Sequence, residues 1–374
     1  MAQRLNTCVR SVDTVARLGG DEFVVMLEEL SARPQELAKQ ARGVAEKILA
    51  MLDLPYPLQG YQYSSTPSIG VAPFTGNETS VGELLKQADL AMYQAKTAGR
   101  NTMRFFDPEM QAVVTARAGM ENDLRAALAQ EQLVLHYQPQ MHHTGRCVGV
   151  EALVRWAHPE RGLIAPGDFI SLAEETGLIL PLGRWVLHTA CKLLAAWQAD
   201  PTLSKLTMAV NVSSRQFRHA SFVDDVVRVL AVTGAPACRL KLELTESVLV
   251  DDMEVTIATM TALRSHGVCF ALDDFGTGYS SLSYLKRMPL DQLKIDQSFV
   301  RDLRTDANDA VIVDTIVGLS RSMGLQVIAE GVEAHDQRDL LIEAGCMHFQ
   351  GYLCGRPLAV DELEAFVRPL VDLA

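Results

Sequence analysis

The chain has no long hydrophobic run. No uninterrupted apolar stretch approaches the roughly 18 residues that cross a membrane, and the N-terminus lacks the apolar core of a signal peptide. Its seven cysteines are scattered without a CxxC pair, which indicates reduced thiols rather than a zinc site or a disulfide framework. We therefore predict a soluble, cytoplasmic chain with no membrane segment.

An excess of positive charge is also absent. Lys and Arg number 34 against 46 Asp and Glu, for a net charge of −12, which argues against a nucleic-acid polymer as partner. A dinucleotide is not excluded, because bound divalent metals reverse the local field of an acidic pocket. With 374 residues, 48% of them hydrophobic and 21% charged, the composition predicts an ordinary globular protein of two domains.

Residues 268–296 predict a parallel crossover unit. The apolar run 268–272 has the character of a buried strand, and it ends in two adjacent carboxylates, Asp273 and Asp274. A glycine-containing loop and a short helix, predicted over residues 282–288 with a serine cap, lead to a second strand that carries Lys294. Strand, loop, helix and strand in this order are typical of an α/β fold.

Four more apolar runs end in a polar residue and are followed by helical spacing. The residues at these ends are Glu151, Asn211, Glu243 and Glu330. In a barrel of alternating strands and helices, the carboxyl ends of the strands converge on one mouth. We therefore predict that these four side chains share a pocket with Asp273 and Asp274.

Five carboxylates in one pocket would raise one another's pKa values and cost stability unless cations compensate them. Ligands that are all oxygen favour Mg²⁺ or Mn²⁺ over zinc, and adjacent Asp273 and Asp274 could bridge two ions. Two such ions suit in-line attack of water on a phosphodiester. The residues by themselves predict metal-assisted phosphodiester hydrolysis and no particular substrate.

Seven ordered motifs extend over about Leu124 to Leu370. They are Glu151–Trp156 (EALVRW), Asn211–Ser213, Glu243–Glu246, Asp273–Leu282, Lys294–Asp296, Glu330–Glu333 and Gln350–Tyr352. This series resembles the EAL family of cyclic di-GMP phosphodiesterases. The resemblance implies a TIM-like (β/α)8 barrel that opens cyclic di-GMP to linear pGpG with two Mg²⁺ or Mn²⁺ ions, and that forms a homodimer through the barrel.

The resemblance also implies a role for each matched residue. The metal ligands are Glu151, Asn211, Glu243 and Asp273 for one ion, and Asp273, Asp274 and Glu330 for the second. The catalytic residues are Glu151, Asp273, Lys294, which orients the water or the phosphate, and Glu330, the candidate general base. The substrate contacts are Gln138, Arg155, Asp296 and Gln350. Glu246 steadies the glycine loop. Alternatively, Arg155 pairs with a carboxylate and Glu246 is a surface charge or cap partner.

Residues 1–107 predict a separate α+β domain. Two apolar runs flank Gly19-Gly20-Asp21-Glu22 and predict a β-hairpin. Helices are expected over residues 34–52 and 81–97, with strands near 68–74 and 102–106. This order favours helices packed on an antiparallel sheet.

Gly19 to Phe23 spells GGDEF, and this segment resembles the diguanylate cyclase family of that name with its palm-type domain. Residues 95–107 resemble the end of that domain, and Arg10 and Asp13 have the placement of its inhibitory product site. The family's first strand and two helices are absent, so we expect a truncated domain, no cyclase activity, instability near residues 1–30 and a chain that is a fragment of a longer protein.

Residues 108–131 predict a linker helix before a barrel domain at residues 132–374. Its apolar residues recur at helical spacing, and the stripe packs on the barrel or forms a dimer contact. Two further hypotheses stay open: a receptor that holds cyclic di-GMP without cleaving it, and a hydrolase regulated by GTP bound to the front domain. The histidines 136, 142, 143 and 158 match no zinc pattern.

Overall fold

The computed structural model describes residues 1–31, 33–58, 61–63, 65–74, 79–106, 108–249, 253–276 and 285–371. The chain forms two compact units, Met1–Met120 and Glu121–Ala374. The boundary between the units falls inside the helix Pro108–Ala129, which covers most of the predicted linker. No helix among these residues is both long and apolar enough to span a bilayer.

The first unit combines helices with paired strands. Its elements are α1 (Ala2–Cys8), β1 (Thr14–Gly19), β2 (Glu22–Met26), α2 (Pro34–Asp53), β3 (Tyr56–Leu58), β4 (Tyr61–Tyr63), β5 (Ser68–Val71), α3 (Val81–Thr97) and β6 (Thr102–Phe105). The predicted hairpin is confirmed, since β1 and β2 pair antiparallel on either side of the turn. Leu5 and Cys8 of α1 pack with Ile48 and Leu52 of α2 in a small core.

The antiparallel sheet predicted for this unit is wrong for β5 and β6. These two strands pair in parallel, because helix α3 connects them and a crossover returns the chain in the same direction. Among the described residues, β1–β2, β3–β4 and β5–β6 form three separate two-stranded sheets. A Cβ added at Gly70 would lie 1.9 Å from the carbonyl oxygen of Ala88, so glycine permits the close approach of β5 to α3.

The described residues of the second unit form nine strands. They are β7 (Leu133–His142), β8 (Cys147–His158), β9 (Gly162–Ile164), β10 (Thr207–Asn211), β11 (Leu240–Thr245), β12 (Cys269–Phe275), β13 (Gln292–Ile295), β14 (Gln326–Ala329) and β15 (His348–Phe349).

One helix precedes the strands of the second part of the chain, and the other described helices follow or alternate with them. They are α4 (Pro108–Ala129), α5 (Ile170–Thr176), α6 (Ile179–Trp197), α7 (Ser214–Phe217), α8 (Phe222–Thr233), α9 (Met253–Ser265), α10 (Gln297–Arg301), α11 (Ala307–Met323), α12 (His335–Ala344) and α13 (Val360–Val371). Short 3-10 turns lie at Pro166–Asp168, Leu203–Lys205, Ala237–Arg239 and Glu246–Leu249. The serine cap and residues 282–284 of the helix predicted over residues 282–288 lie outside the described residues. Of the rest, Leu285 is helical, but residues 286–288 form a turn and a bend, so the predicted helix is wrong there.

Eight of the nine strands close into a barrel, which confirms the predicted fold. Strands β8, β10, β11, β12, β13, β14 and β15 run parallel in this order, and β7 closes the ring between β15 and β8. Strand β7 is antiparallel to both neighbours. A short turn joins β7 to β8 instead of a helix, and such a connection reverses the chain. Strands and helices therefore alternate along the chain only after this hairpin.

Neighbouring strands bring the polar residues to one end of the barrel. Asn211 at the end of β10 is in register with Glu243 of β11, and Thr245 of β11 with Asp273 of β12. Strand β8 continues beyond Glu151 because it also pairs with β7 and β9. The carboxylates therefore face one mouth, as the strand ends of an α/β barrel require.

Candidate active site

A fully buried lysine lies at the centre of the site. Lys294 Nζ is 2.5 Å from Glu243 Oε2, 2.6 Å from Glu330 Oε1 and 3.1 Å from Asp273 Oδ1. Glu151 Oε2 is 3.9 Å away. Burial alone would lower the pKa of Lys294, but the surrounding carboxylates outweigh burial and raise this pKa well above its ordinary value. The predicted metal ligands therefore stabilise the positive charge of Lys294.

One carboxylate oxygen in this cluster is buried and has no partner. Glu243 is 1% exposed, and its Oε1 makes no hydrogen bond to any described residue. Burial raises the pKa of Glu243 to about 8, although Lys294 opposes this shift. An unsatisfied buried acceptor costs free energy, which a cation bound at Oε1 would recover. The predicted ligands thus fit a metal ion.

Asp273, Asp274 and Glu330 form a second group of oxygens, all within 4.8 Å of one another. Consecutive strand residues normally point to opposite faces of a sheet. The pairing of β12 with β13 is irregular between Leu272 and Phe275, and Asp274 has a φ of 53°, in the left-handed region. This local backbone brings two consecutive carboxylates into one group. Burial and the charge of Asp273, followed by that of Asp296, raise the pKa of Asp274 to about 6.

Side-chain amides hold the carboxylate of Glu151. Asn211 Nδ2 donates to Glu151 Oε1 at 2.5 Å, and Gln350 Nε2 donates to Glu151 Oε2. Gln350 Nε2 also donates to Gln138 Oε1 at 3.1 Å. The structure thus brings four predicted site residues together in one hydrogen-bond network.

Sequence reasoning missed one member of this network. Gln140 is 2% exposed, and its Nε2 donates to Gln350 Oε1 at 3.0 Å. The available signal was the two-residue spacing between Gln138 and Gln140, because alternate residues of a strand share a face.

The site opens into a cleft of about 420 Å³. Its walls include Gln138, Glu151, Arg155, Asn211, Asp273, Glu330 and Gln350, which were predicted, and Leu153, Gln297, Glu333, Tyr352 and Pro357, which were not. Arg155 Nη1 donates to the carbonyl of Val154 at 2.8 Å, and burial lowers the pKa of its guanidinium. A cleft that combines carboxylates, amides and a guanidinium suits a polar, phosphate-bearing ligand.

Glu246 and Asp296 lie beside this cleft. Glu246 Oε1 accepts a hydrogen bond from the backbone N–H of Gly276 at 2.9 Å. This bond anchors the first residue of the glycine loop, whose residues 277–284 lie outside the described part of the chain. Asp296 caps helix α10, since its carboxylate accepts from Ser298 N at 3.0 Å. The observed contacts of Asp296 are therefore those of a helix cap next to Asp274.

In the first unit, the predicted motif occupies an exposed hairpin turn. Gly19 and Gly20 lie at the turn, where Gly20 has a φ of 52°, and Asp21 and Glu22 are exposed. The carboxylate of Asp13 accepts from the backbone N–H groups of Arg10 at 2.7 Å and Glu28 at 3.1 Å. Asp13 thus braces the hairpin through backbone contacts.

The barrel and its carboxylate cluster define the class of the protein. The chain contains an eight-stranded α/β barrel, and oxygen donors surround a buried lysine at the ends of its strands. Such a site suits metal-assisted chemistry. Residues 121–357 match the family model described as EAL domain, and residues 1–102 match the one described as diguanylate cyclase, GGDEF domain. The chain belongs to the EAL domain family and carries a GGDEF region in front, which confirms both resemblances.

Curated relatives match nearly the whole chain. The bifunctional diguanylate cyclase/cyclic di-GMP phosphodiesterase MucR of Pseudomonas aeruginosa is 43% identical over 98% of this chain and 53% of its own length. The cyclic di-GMP phosphodiesterase PdeR of Escherichia coli is 38% identical over 97% of this chain and 54% of its own length. The chain therefore spans about half the length of these relatives.

A solved structure supports the barrel in particular. The PaMucR phosphodiesterase in complex with c-di-GMP superposes with a TM-score of 0.63 at 46% sequence identity. The superposition covers 65% of this chain and 98% of the PaMucR chain.

Proposed function

We propose that the barrel hydrolyses cyclic di-GMP to linear pGpG. The observation that carries the proposal is the buried lysine surrounded by carboxylates at the mouth of an EAL barrel, with an unpartnered oxygen on Glu243. Relatives that are 38% and 43% identical are named cyclic di-GMP phosphodiesterases, which supports the choice of substrate.

The ligand set favours Mg²⁺ or Mn²⁺, because every donor is an oxygen. One ion would be held by Glu151, Asn211, Glu243 and Asp273, and a second by Asp273, Asp274 and Glu330. When bound, these ions would activate a water molecule and take up negative charge on the phosphodiester.

The protein's own side chains would position the substrate and the proton acceptor. Glu330 lines the cleft, and its Oε1 lies 2.6 Å from the Nζ of the buried Lys294, so a positive charge holds the proposed general base from behind. Arg155, Gln138 and Gln350 line the walls and would contact phosphate or base edges. Asp296 is proposed as a further contact only through its position beside Asp274. Glu246 would hold the glycine loop through Gly276.

We further propose that the first unit has no cyclase activity. The described strands form three separate pairs and not one continuous sheet that could support a catalytic site around Asp21 and Glu22. GTP binding there, a product site at Arg10 and Asp13, and a homodimer through the barrel remain predictions. The seven free cysteines support the predicted cytoplasmic location.

The decisive experiment compares cleavage of cyclic di-GMP by the purified chain and by Glu151→Ala, with Mg²⁺, with Mn²⁺ and with EDTA. Glu160→Ala, which removes an exposed carboxylate after the same strand β8, is the matched control. We expect pGpG from the wild type and the control, and at least a hundredfold slower turnover from Glu151→Ala. Tight binding without turnover in either metal would reject the hydrolase and identify a receptor.

A further inference from the structure

We propose that Gln140 is a positioning residue for Glu151. This inference deepens the proposed function and rests on it. Among the described residues, Gln140 is not one of those that line the cleft, and its side-chain amide bonds Gln350 and not a proposed metal ligand. Its contact with the site passes through the side chain of Gln350.

The direction of each hydrogen bond in the network is fixed from its ends. The carbonyl of Gly355 can only accept, and it receives Gln138 Nε2 at 3.0 Å. Gln138 therefore presents Oε1 to Gln350, which donates to it through Nε2 at 3.1 Å. An ionised Glu151 can also only accept, so Gln350 must turn the same nitrogen towards it.

This arrangement leaves Gln350 Oε1 pointing into the barrel. Gln350 is 4% exposed, so bulk water cannot readily donate a hydrogen bond to this oxygen. Gln140 Nε2 donates to this oxygen at 3.0 Å. Without Gln140, the Gln350 carboxamide would either keep an unsatisfied oxygen or rotate and direct it against the oxygens of Gln138 and Glu151.

A glycine provides the room for Gln140. Gly149 is in register with Gln140 and lies two residues before Glu151, on the same face of β8. A Cβ at this position would lie 3.3 Å from Gln140 Oε1 and 2.3 Å from Thr207 Oγ1. A side chain at position 149 would clash with Thr207 first and would also crowd the carboxamide of Gln140.

The test measures Mn²⁺ binding to the full chain by electron paramagnetic resonance, independently of hydrolysis. Gln140→Met keeps the size of the side chain and removes the amide. We expect about fivefold weaker Mn²⁺ binding, because partners behind a ligand tune its orientation and removal of one neutral hydrogen bond is a modest loss. Gln292→Met removes another buried glutamine, one that bonds Lys241 instead of Gln350, and should leave Mn²⁺ binding within twofold of the wild type.

A double mutant separates positioning from general loosening of the barrel. If Gln140 acts through Gln350, the pair Gln140→Met and Gln350→Met binds Mn²⁺ no more weakly than Gln350→Met alone. Additive losses, or a Gln140→Met variant that binds like the wild type, would overturn the inference while cleavage by the wild type leaves the proposed function intact. Failure of the wild type to bind Mn²⁺ would reject both. Gln140→Asn, which shortens the same amide, serves if the methionine variant does not fold.

Discussion

Replacement of Lys294 by methionine tests how the carboxylate cluster is held together. The lysine is fully buried, and three carboxylate oxygens lie between 2.5 and 3.1 Å from its Nζ. Methionine has a similar length and no charge. The variant therefore leaves Glu243, Asp273 and Glu330 buried together with no cation.

The expected loss is large in the absence of metal. Removal of one partner from a buried ion pair typically costs about 3 to 5 kcal/mol. Since Lys294 serves three carboxylates, we expect the upper part of this range, about 4 to 5 kcal/mol, a large share of the roughly 5 to 15 kcal/mol that stabilise a domain. Part of the cost would be avoided because the carboxylates can take up protons.

The assay is urea unfolding of the barrel in EDTA and in excess Mg²⁺. We expect the deficit of Lys294→Met to shrink when Mg²⁺ is present, because a bound divalent ion would replace the missing charge and stabilise only the folded state. Lys241→Met is the matched control. Lys241 is also buried, but its Nζ bonds the neutral Gln292 at 2.8 Å and burial lowers its pKa, so we expect a loss below about 2 kcal/mol.

Two outcomes would refute this reasoning. The first is a free energy of unfolding for Lys294→Met in EDTA that lies within about 1 kcal/mol of the wild-type value. This result would show that the folded protein tolerates the buried carboxylates without the lysine. Equal losses of unfolding free energy for Lys294→Met and Lys241→Met would show that the loss comes from replacing any buried lysine and does not depend on the carboxylates around Lys294.

Two further predictions concern single residues. In EDTA, Asp274→Gly should raise the free energy of unfolding by about 1 kcal/mol, because glycine accepts the φ of 53° and one crowded carboxylate is removed. The same variant should lose cleavage of cyclic di-GMP. Turnover within tenfold of the wild type would contradict the proposed role of Asp274 as a metal ligand. Burial lowers the pKa of His348 to about 4, so the unfolded chain binds a proton first and stability should fall by about 2 kcal/mol from pH 6.5 to 4. In urea unfolding at a series of pH values, His348→Asn should reduce the dependence of the free energy of unfolding on pH. An unchanged dependence would show that other groups cause it.

The apolar runs of the barrel predicted its parallel strands well. Strands buried on both faces have few polar positions, so the polar residue that follows the run is conspicuous. Asn211 and Asp273 were found in this way, and both lie where the parallel register requires. The proposed role of each residue as a metal ligand came from motif resemblance, because an apolar run followed by a carboxylate does not specify a metal.

The directions of three strands, β5, β6 and β7, were not predicted correctly from the sequence. Strand β7 is antiparallel to both neighbours because a short turn joins it to β8, whereas β5 and β6 are parallel because α3 connects them. The pairing partner of each strand is determined by contacts far apart in sequence. Local periodicity shows that a strand exists, and only the length and content of the connection indicate how it runs.

The side-chain network was also beyond local prediction. Lys294 meets Glu243 across 51 positions, and Gln140 meets Gln350 across 210. The left-handed conformation of Asp274 depends on the irregular pairing of β12 and β13, because nothing in an Asp-Asp pair requires a positive φ.

The charges in the site indicate how many cations it can accept. The amides of Asn211 and Gln350 orient Glu151 but add no positive charge. Lys294 contributes one positive charge to a cluster of five carboxylates, those of Glu151, Glu243, Asp273, Asp274 and Glu330. Four negative charges remain when all five are ionised, and two divalent ions would balance them. A single ion would leave an excess of negative charge that favours a protonated carboxylate, so this balance agrees with the two ions that we propose.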